Sequence, residues 1–443
     1  MKRSAPSPRG GFLTGHLHRI RHDVLGLLEE STRDHGDIVR FKVGPLVFHL
    51  INHPDHMTHV MIRNRRNYDK ASRSSENIGL ICGESLLTSN GPAWQLSRRT
   101  IQPMFHRSAV AGFVSSIAAC TRDMLDGWKG KDETDAASEM MKLTFRVVGQ
   151  CLFGADLGRE AETVESSMHR MMLHTYHRWR SLLPPPASWP TPANLRFRRS
   201  LVEVDGIISR LISAQRVDPP ETPNLLSMLL HGEDAETGAA LGDQAVRNEA
   251  ITFLLAGHET TANALAWTLH LLCRHPEWIT RIREEFDAVC GGRTPTMEDL
   301  PKLADTLHVF EESIRLYPPI WAMERRAISD DEIGGFHIPR NSGVILSPYM
   351  LHRHPDFWEE PEVFRPDRFL KRDHESYYPF GAGPRFCIGS EFALAEARVI
   401  LPMILREFDL EAVPGQTIGA EPSITLRMKN GFRVRLRARA MQG

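Results

Sequence analysis

Apolar positions recur at helical spacing through most of this chain. Residues 23–34 place Val24, Leu27 and Leu28 on one face and meet Gly36, which predicts a short helix. Residues 37–43 and 46–51 flank Gly44-Pro45 and predict a β-hairpin. From about residue 90 to 320 helical patterns dominate, broken at Pro184-Pro185-Pro186, Trp189-Pro190, Pro219-Pro220 and Gly232. The longest pattern, residues 244–273, ends at His275-Pro276 and spans roughly 40 Å at the usual helical rise. Residues 321–386 turn aromatic and proline-rich, and residues 431–436 read as a closing strand. The expectation is a mainly α protein with a smaller β part drawn from both chain ends into one sheet. That predicts one interwoven domain over residues 23–443 behind a flexible segment, residues 1–22. No internal repeat or low-complexity tract interrupts it.

Composition narrows the class. The chain has 443 residues, 41% hydrophobic and 25% charged, with 54 basic and 55 acidic residues for a net charge of −1. That balance argues against a bulk nucleic-acid or membrane-surface binder, though it leaves local basic patches open. No apolar run approaches the length of a membrane span or a secretory signal. Six scattered cysteines form no Cys-x-x-Cys or Cys/His cluster, which speaks against zinc and iron–sulfur sites. A monomeric cytoplasmic protein with reduced thiols and no membrane anchor is expected.

One cysteine stands apart. Cys387 lies in Phe380-Gly-Ala-Gly-Pro-Arg385-Phe-Cys387-Ile-Gly389, and a helical pattern follows at once. The glycines permit a tight loop. A helix start offers free N–H groups and a positive dipole end, both of which favour thiolate. Such a thiolate suits one soft metal bond.

Other constellations lie upstream. Within the longest helical pattern, Ala256-Gly257-His258-Glu259-Thr260-Thr261 interrupts the apolar run, and helical spacing sets Phe253, Ala256 and Thr260 on one face. Gly257 in mid-helix costs about 1 kcal/mol relative to alanine and needs a reason. The Thr260 hydroxyl beside the Glu259 carboxylate can hold water and relay protons. Glu312 and Arg315 are spaced to pair on one helical face, before Pro318-Pro319.

The Cys387 loop resembles the haem-ligand loop of the cytochrome P-450 family, and the other motifs occur in that family's order. The resemblance implies a triangular, mainly helical fold with haem b between a long distal helix and the Cys loop. It makes Cys387 the iron ligand, within a cofactor surface that includes Phe380, Gly389, Ala256 and Gly257. Thr260 and Glu259 become the dioxygen-ordering and proton-delivering pair. Glu312, Arg315 and Arg368, the last in Phe364-Arg-Pro-Asp-Arg368, become a buried structural trio. Trp94 and Arg98, in Trp-x-x-x-Arg spacing, together with Arg385 and Arg325, become partners for the haem carboxylates; Arg326 is one register from Arg325. Ile78, Leu80, Ile81, Leu182, Leu183, Phe253, Trp321, Met323 and Ile424 are implied as an apolar substrate lining.

The implied activity is insertion of one oxygen atom of O2 into a hydrophobic terpenoid, fatty acid, steroid or polyketide. Electrons would come from NAD(P)H through a ferredoxin or flavodoxin with its reductase, approaching near Arg98-Arg99 and His106-Arg107. A peroxygenase or isomerase, and a non-catalytic haem sensor, are the competing readings. The intact Glu259-Thr260 pair counts against the first, and the absence of a signalling domain against the second.

Overall fold

The computed structural model describes residues 3–157, 160–234, 236–371 and 375–439. At its centre runs the helix Asp243–Arg274, 32 residues long. Nearly every residue from Val246 to Leu272 is buried, because helices close over it on several sides. Ala136–Phe153, Pro192–Val217, Ala304–Leu316 and Ser390–Glu407 all pack against it. A helix apolar all round belongs in the core of a large domain. It stops where His275 leaves helical geometry ahead of Pro276.

The hairpin forms as the alternation requires. Ile38–Val43 and Leu46–Ile51 pair antiparallel with Ile38 opposite Ile51. Leu46–Ile51 then pairs parallel with Gly343–Leu346, which pairs antiparallel with Met323–Ala327, and Tyr68–Asp69 closes that edge. The C-terminal strand Arg433–Ala438 joins a different sheet, between Glu133–Asp135 and Phe408–Ala412. The expectation that both chain ends share one sheet is therefore corrected. Each end pairs with strands distant in sequence, so the interweaving stands. The expected flexible lead-in is tied down from residue 3 onward. Arg40 N–H donates to Pro6 O and His16 N–H to Lys42 O, each at 2.8 Å, and Leu17–His22 forms a short helix.

The Glu312–Arg315 pair is not a surface pair. Both side chains are fully buried, with Arg315 Nε at 2.7 Å from Glu312 Oε2. Arg368 Nε reaches Glu312 Oε1 at 3.0 Å, and Arg365 N–H donates to the same oxygen at 2.8 Å. Arg315 spends its remaining donors on the carbonyls of His352, Pro361 and Val363. His352, itself fully buried, accepts the Tyr378 N–H at 2.8 Å. One carboxylate thus fixes the loop that leads into the Cys387 segment.

Glu312→Gln removes the buried carboxylate that Arg315 and Arg368 share and should cost about 3–5 kcal/mol. Chemical denaturation reads this directly, and an unchanged midpoint would refute the hub. Gly257 also has a packing reason. A Cβ there would meet Val148 Cγ2 of the neighbouring helix at 3.0 Å. Val148 is buried and stiff, so overpacking of roughly 1–3 kcal/mol should exceed the helical gain of about 1 kcal/mol from alanine. Gly257→Ala should destabilise the wild type and become neutral or stabilising in a Val148→Ala background.

Candidate functional site

Backbone constraints build the Cys387 loop. Cys387 N–H donates to Phe380 O at 2.9 Å and closes it. Gly383 has φ 66°, and a Cβ on it would lie 2.5 Å from Met61 O, so only glycine fits. Gly389 caps the helix Ser390–Glu407 and donates its N–H to the Cys387 sulfur. Protein surrounds Cys387 on all sides, yet the residue keeps accessible surface. That surface opens inside the molecule. The expected bias toward thiolate is corrected here. The Gly389 N–H and the Arg98 charge do lower the thiol, but burial outweighs both and holds it above its ordinary value. Deprotonation is then left to a coordinated metal, which strips a thiol outright.

Beside Cys387 lies a cluster of cations. Arg98, on the helix Gly91–Ile101, donates to Phe386 O at 3.0 Å. Arg385 donates to Ser89 O at 2.7 Å and lies 4.3 Å from the centre of the Trp94 ring. Lys70 Nζ donates to Leu87 O at 2.6 Å. Arg325 donates to Glu324 O at 2.8 Å, whereas Arg326 pairs with Asp69 at 2.7 Å. Of the two registers, Arg326 is thus engaged by an acid, and Arg325 makes no ion pair among the described residues. Burial and mutual repulsion push Arg385 down to about 10, and burial does the same to Arg325. Lys70 is pushed well below its usual value by burial and by Arg325 and Arg385. Among the described residues none of the four cations makes an ion pair. Backbone carbonyls hold them in place without neutralising them.

The loop that supplies those carbonyls is itself anchored. Leu86 N–H donates to Glu249 Oε1 at 2.8 Å, and burial raises that carboxyl to about 7. Glu249 sits two turns before Ala256 on the long helix. Ala256 is exposed, and Gly257 and Thr260 half-buried, within a stretch otherwise buried. The small side chain therefore borders an internal opening. Thr260 Oγ1 donates to Ala256 O at 2.6 Å. Glu259 turns elsewhere: its Oε1 accepts the Thr425 hydroxyl at 2.6 Å, and Asn263 donates to Thr425 at 3.2 Å. Burial pushes the Glu259 carboxyl up. Thr260 and Glu259 are chain neighbours with separate hydrogen-bond partners. The Cβ position of Gly257 points at Val148, so helix packing gives this glycine a reason of its own.

A cavity of about 240 Å³ has Lys70 and Arg325 in its lining. Ile78, Trp321, Met323 and Ile424 line it as expected, joined by Leu87, Tyr176, Trp179 and Ile320. The Trp321 indole donates to Ser423 O at 2.8 Å, which fixes its ring. Ile81 and Phe253 are corrections. Ile81 is packed in the helical core, and Phe253 stacks on Phe105 at 5.3 Å. Leu80 also packs on that core, Leu182 packs against the hairpin cluster, and Leu183 is exposed. Arg99 is engaged by Asp234 and Glu236, while His106 and Arg107 are exposed.

Lys70, Glu249, His352 and Thr425 were not singled out by sequence. Each is a lone polar residue with no motif around it, and only the fold brings it to the site. Taken together, one enclosed thiol, a small-residue opening and four unmatched cations fit a flat metal-bearing group with two carboxylates, as haem b is.

Comparison with known proteins agrees. Residues 5–431 match the family model described as Cytochrome P450. Cyclooctatin synthase of Streptomyces melanosporofaciens is 35% identical, covering 96% of this chain and 94% of that protein. Cyclooctat-9-en-7-ol 5-monooxygenase of the same organism is 36% identical, over 92% and 89%. Pentalenene oxygenase of Streptomyces avermitilis is 31% identical, over 96% of each. No helix among the described residues is long and apolar enough to cross a membrane. The chain belongs to the cytochrome P450 family, haem b monooxygenases that use dioxygen and nicotinamide-derived electrons from redox partners to oxygenate hydrophobic substrates.

Proposed function

We propose that this enzyme hydroxylates or epoxidises a polycyclic terpenoid, with Cys387 as the iron ligand. The carrying observation is the enclosed Cys387 beside four cations that make no ion pair among the described residues. The names of three relatives support the substrate class. So does a cavity walled by Ile78, Ile320, Trp321, Met323 and Ile424, which offers a terpenoid skeleton contact area and few polar partners.

Bound haem supplies the reductive activation of dioxygen. The protein's own residues do the rest. Lys70, Arg98, Arg325 and Arg385 bind the two carboxylates and are relieved of mutual repulsion by them. Thr260 presents its hydroxyl at the opening beside Ala256 and orients water there. Burial raises the Glu259 carboxyl above its ordinary range and so favours a transferable proton there, with the Thr425 hydroxyl as its partner. The apolar walls exclude bulk water.

A ferredoxin or flavodoxin with its reductase is the proposed donor. Exposed His106, Arg107 and Phe386 near Cys387 offer it a basic and apolar landing. Six free cysteines support a reducing cytoplasmic setting, and the reading takes the protein as a monomer.

The test is the visible spectrum of the reduced, carbon monoxide-bound holoenzyme. A thiolate-type red-shifted Soret band should appear in the wild type and vanish in Cys387→Ala; a histidine-type band in the wild type would sink the assignment. Thr260→Ala should keep that band and lower product formed per reductant consumed by roughly tenfold or more, an effect in the range of a lost proton-transfer group. Lys70→Ala and Arg385→Ala should lose haem faster on dilution than wild type.

A further inference from the structure

Two neighbouring side chains of the long helix are spent on one loop, residues 83–90. Asn248 Nδ2 donates to Glu84 O at 3.0 Å, and Leu86 N–H donates to Glu249 Oε1 at 2.8 Å. Gly83 has φ 60°, and a Cβ on it would lie 2.5 Å from Asn248 Nδ2. Gln244 and Arg247 both donate to Asn248 Oδ1, at 2.9 Å each, and orient that amide.

The loop is stiff. Thr88 Oγ1 donates to Gly83 O at 2.7 Å and accepts the Ser85 N–H at 3.0 Å. Ser89 Oγ donates to Ser85 O at 2.6 Å. A shift at Leu86 therefore carries Leu87, Ser89 and Asn90 with it. Those residues hold two of the four cations. Leu87 O takes Lys70 Nζ, and Ser89 O and Asn90 Oδ1 take Arg385. Asn90 Oδ1 also takes the Lys70 backbone N–H at 3.0 Å.

A carboxyl is a demanding acceptor to bury here. Glu249 is 1% exposed, and its Oε2 closes no hydrogen bond. No cation compensates it among the described residues. Arg247 pairs with Asp205, Arg99 with Asp234 and Glu236, and Arg98 turns to Phe386 and Gln102. Glu84 is exposed, and uncharged Ser97 faces Glu249 from the helix Gly91–Ile101. Cys82, ending the helix Arg73–Cys82, is its ionisable neighbour, and burial holds that thiol up. Burial pushes the seated carboxyl up to about 7, from an ordinary 4.5. Released to water it returns to the ordinary value, so the seated loop prefers the protonated form. Seating is then firmest below 4.5, weakens as pH rises, and levels off above about 7.

We propose that Asn248 and Glu249 are positioning residues for the cofactor: they seat residues 83–90 on the long helix, the seated loop holds Lys70 and Arg385 for the cofactor carboxylates, and a proton on Glu249 tightens the seat. The inference rests on the reading of Lys70 and Arg385 as carboxylate partners.

The experiment is transfer of haem from the holoenzyme to excess apomyoglobin between about pH 5 and 8, with hydrogen exchange at the Leu86 amide followed alongside. Glu249→Gln keeps an acceptor for Leu86 and removes the titration. The wild-type transfer rate divided by the Glu249→Gln rate should rise roughly tenfold or more from pH 5 to 7, then level off. Titration of Cys387 and of the haem carboxylates is common to both proteins and drops out of that ratio. Glu249→Ala and Asn248→Ala should release haem faster than wild type at pH 5 and exchange the Leu86 amide faster. A Lys70→Ala/Arg385→Ala background should mask most of the Glu249→Ala effect on haem release, because both act through the same cations. A ratio flat with pH overturns the proposal. So does Glu249→Ala that speeds Leu86 exchange without speeding haem release, since the contact would then be a structural tie alone. Lys70→Ala/Arg385→Ala releasing haem at the wild-type rate would sink the carboxylate reading, and this inference with it.

Discussion

Unbalanced charge is the constraint on which the rest of this structure turns. Lys70, Arg98, Arg325 and Arg385 converge near Cys387, held by the carbonyls of Leu87, Phe386, Glu324 and Ser89. A carbonyl solvates a cation without cancelling its charge, so the cluster stays electrostatically unfavourable until an anion joins it. The opposite treatment appears at Glu312, where one carboxylate serves Arg315 and Arg368 at once. The first arrangement suits binding and the second suits permanence. The Glu312 cluster is fully buried around its carboxylate, whereas the other is half-buried and has no ion pair among the described residues.

The long helix coordinates the two sides of the cavity through carboxyls placed on either side of Ala256. Glu249 takes the Leu86 N–H and so fixes the loop whose carbonyls hold Lys70 and Arg385. Glu259 takes the Thr425 hydroxyl and so fixes the turn that carries Ile424 into the cavity wall. A displacement of this helix would therefore move the Lys70–Arg385 loop and the Ile424 turn together. Glu259 is then both the candidate proton donor and a tie to the C-terminal hairpin. Gly257 serves the same rigidity from another side, by letting Val148 of the neighbouring helix approach.

Sequence made legible what depends on local spacing. The hairpin at Gly44-Pro45, the long helix ended by Pro276 and the Cys387 loop all follow from residues within a few positions of one another. The Glu312–Arg315 pair was equally plain as an i,i+3 spacing, but not its full burial, which depends on His352 and Val363 arriving from a later segment. Lys70 was invisible for the same reason, since nothing around Tyr68-Asp69-Lys70 distinguishes it from a surface lysine. Phe253 shows the limit of periodicity. Helical spacing put it on the face of Ala256 and Thr260, but Phe105 occupies that direction and takes it into the core. Spacing gives a face, and the neighbouring element decides whether that face meets a cavity.

Charge read as a total misleads in the same manner. A net of −1 counts against a protein that binds polyanions or membranes only if the charges are mixed along the chain. Here they are not. Arg98 and Arg99 are adjacent, yet one meets only oxygens without formal charge, at Phe386 and Gln102, and the other meets two acids. The acid-free segments before residue 23 and around residues 166–202 meet at the hairpin tip, so their arginines add to one another. Acids from outside those segments reach Arg19 and Arg170, whereas Arg9, Arg196 and Arg199 make no ion pair among the described residues, and exposed charges beyond about 8–10 Å scarcely interact at physiological salt. The field that a ligand or a surface meets is set within that distance. The fold brings one set of basic residues together beside Cys387 and another around the tip of the N-terminal hairpin.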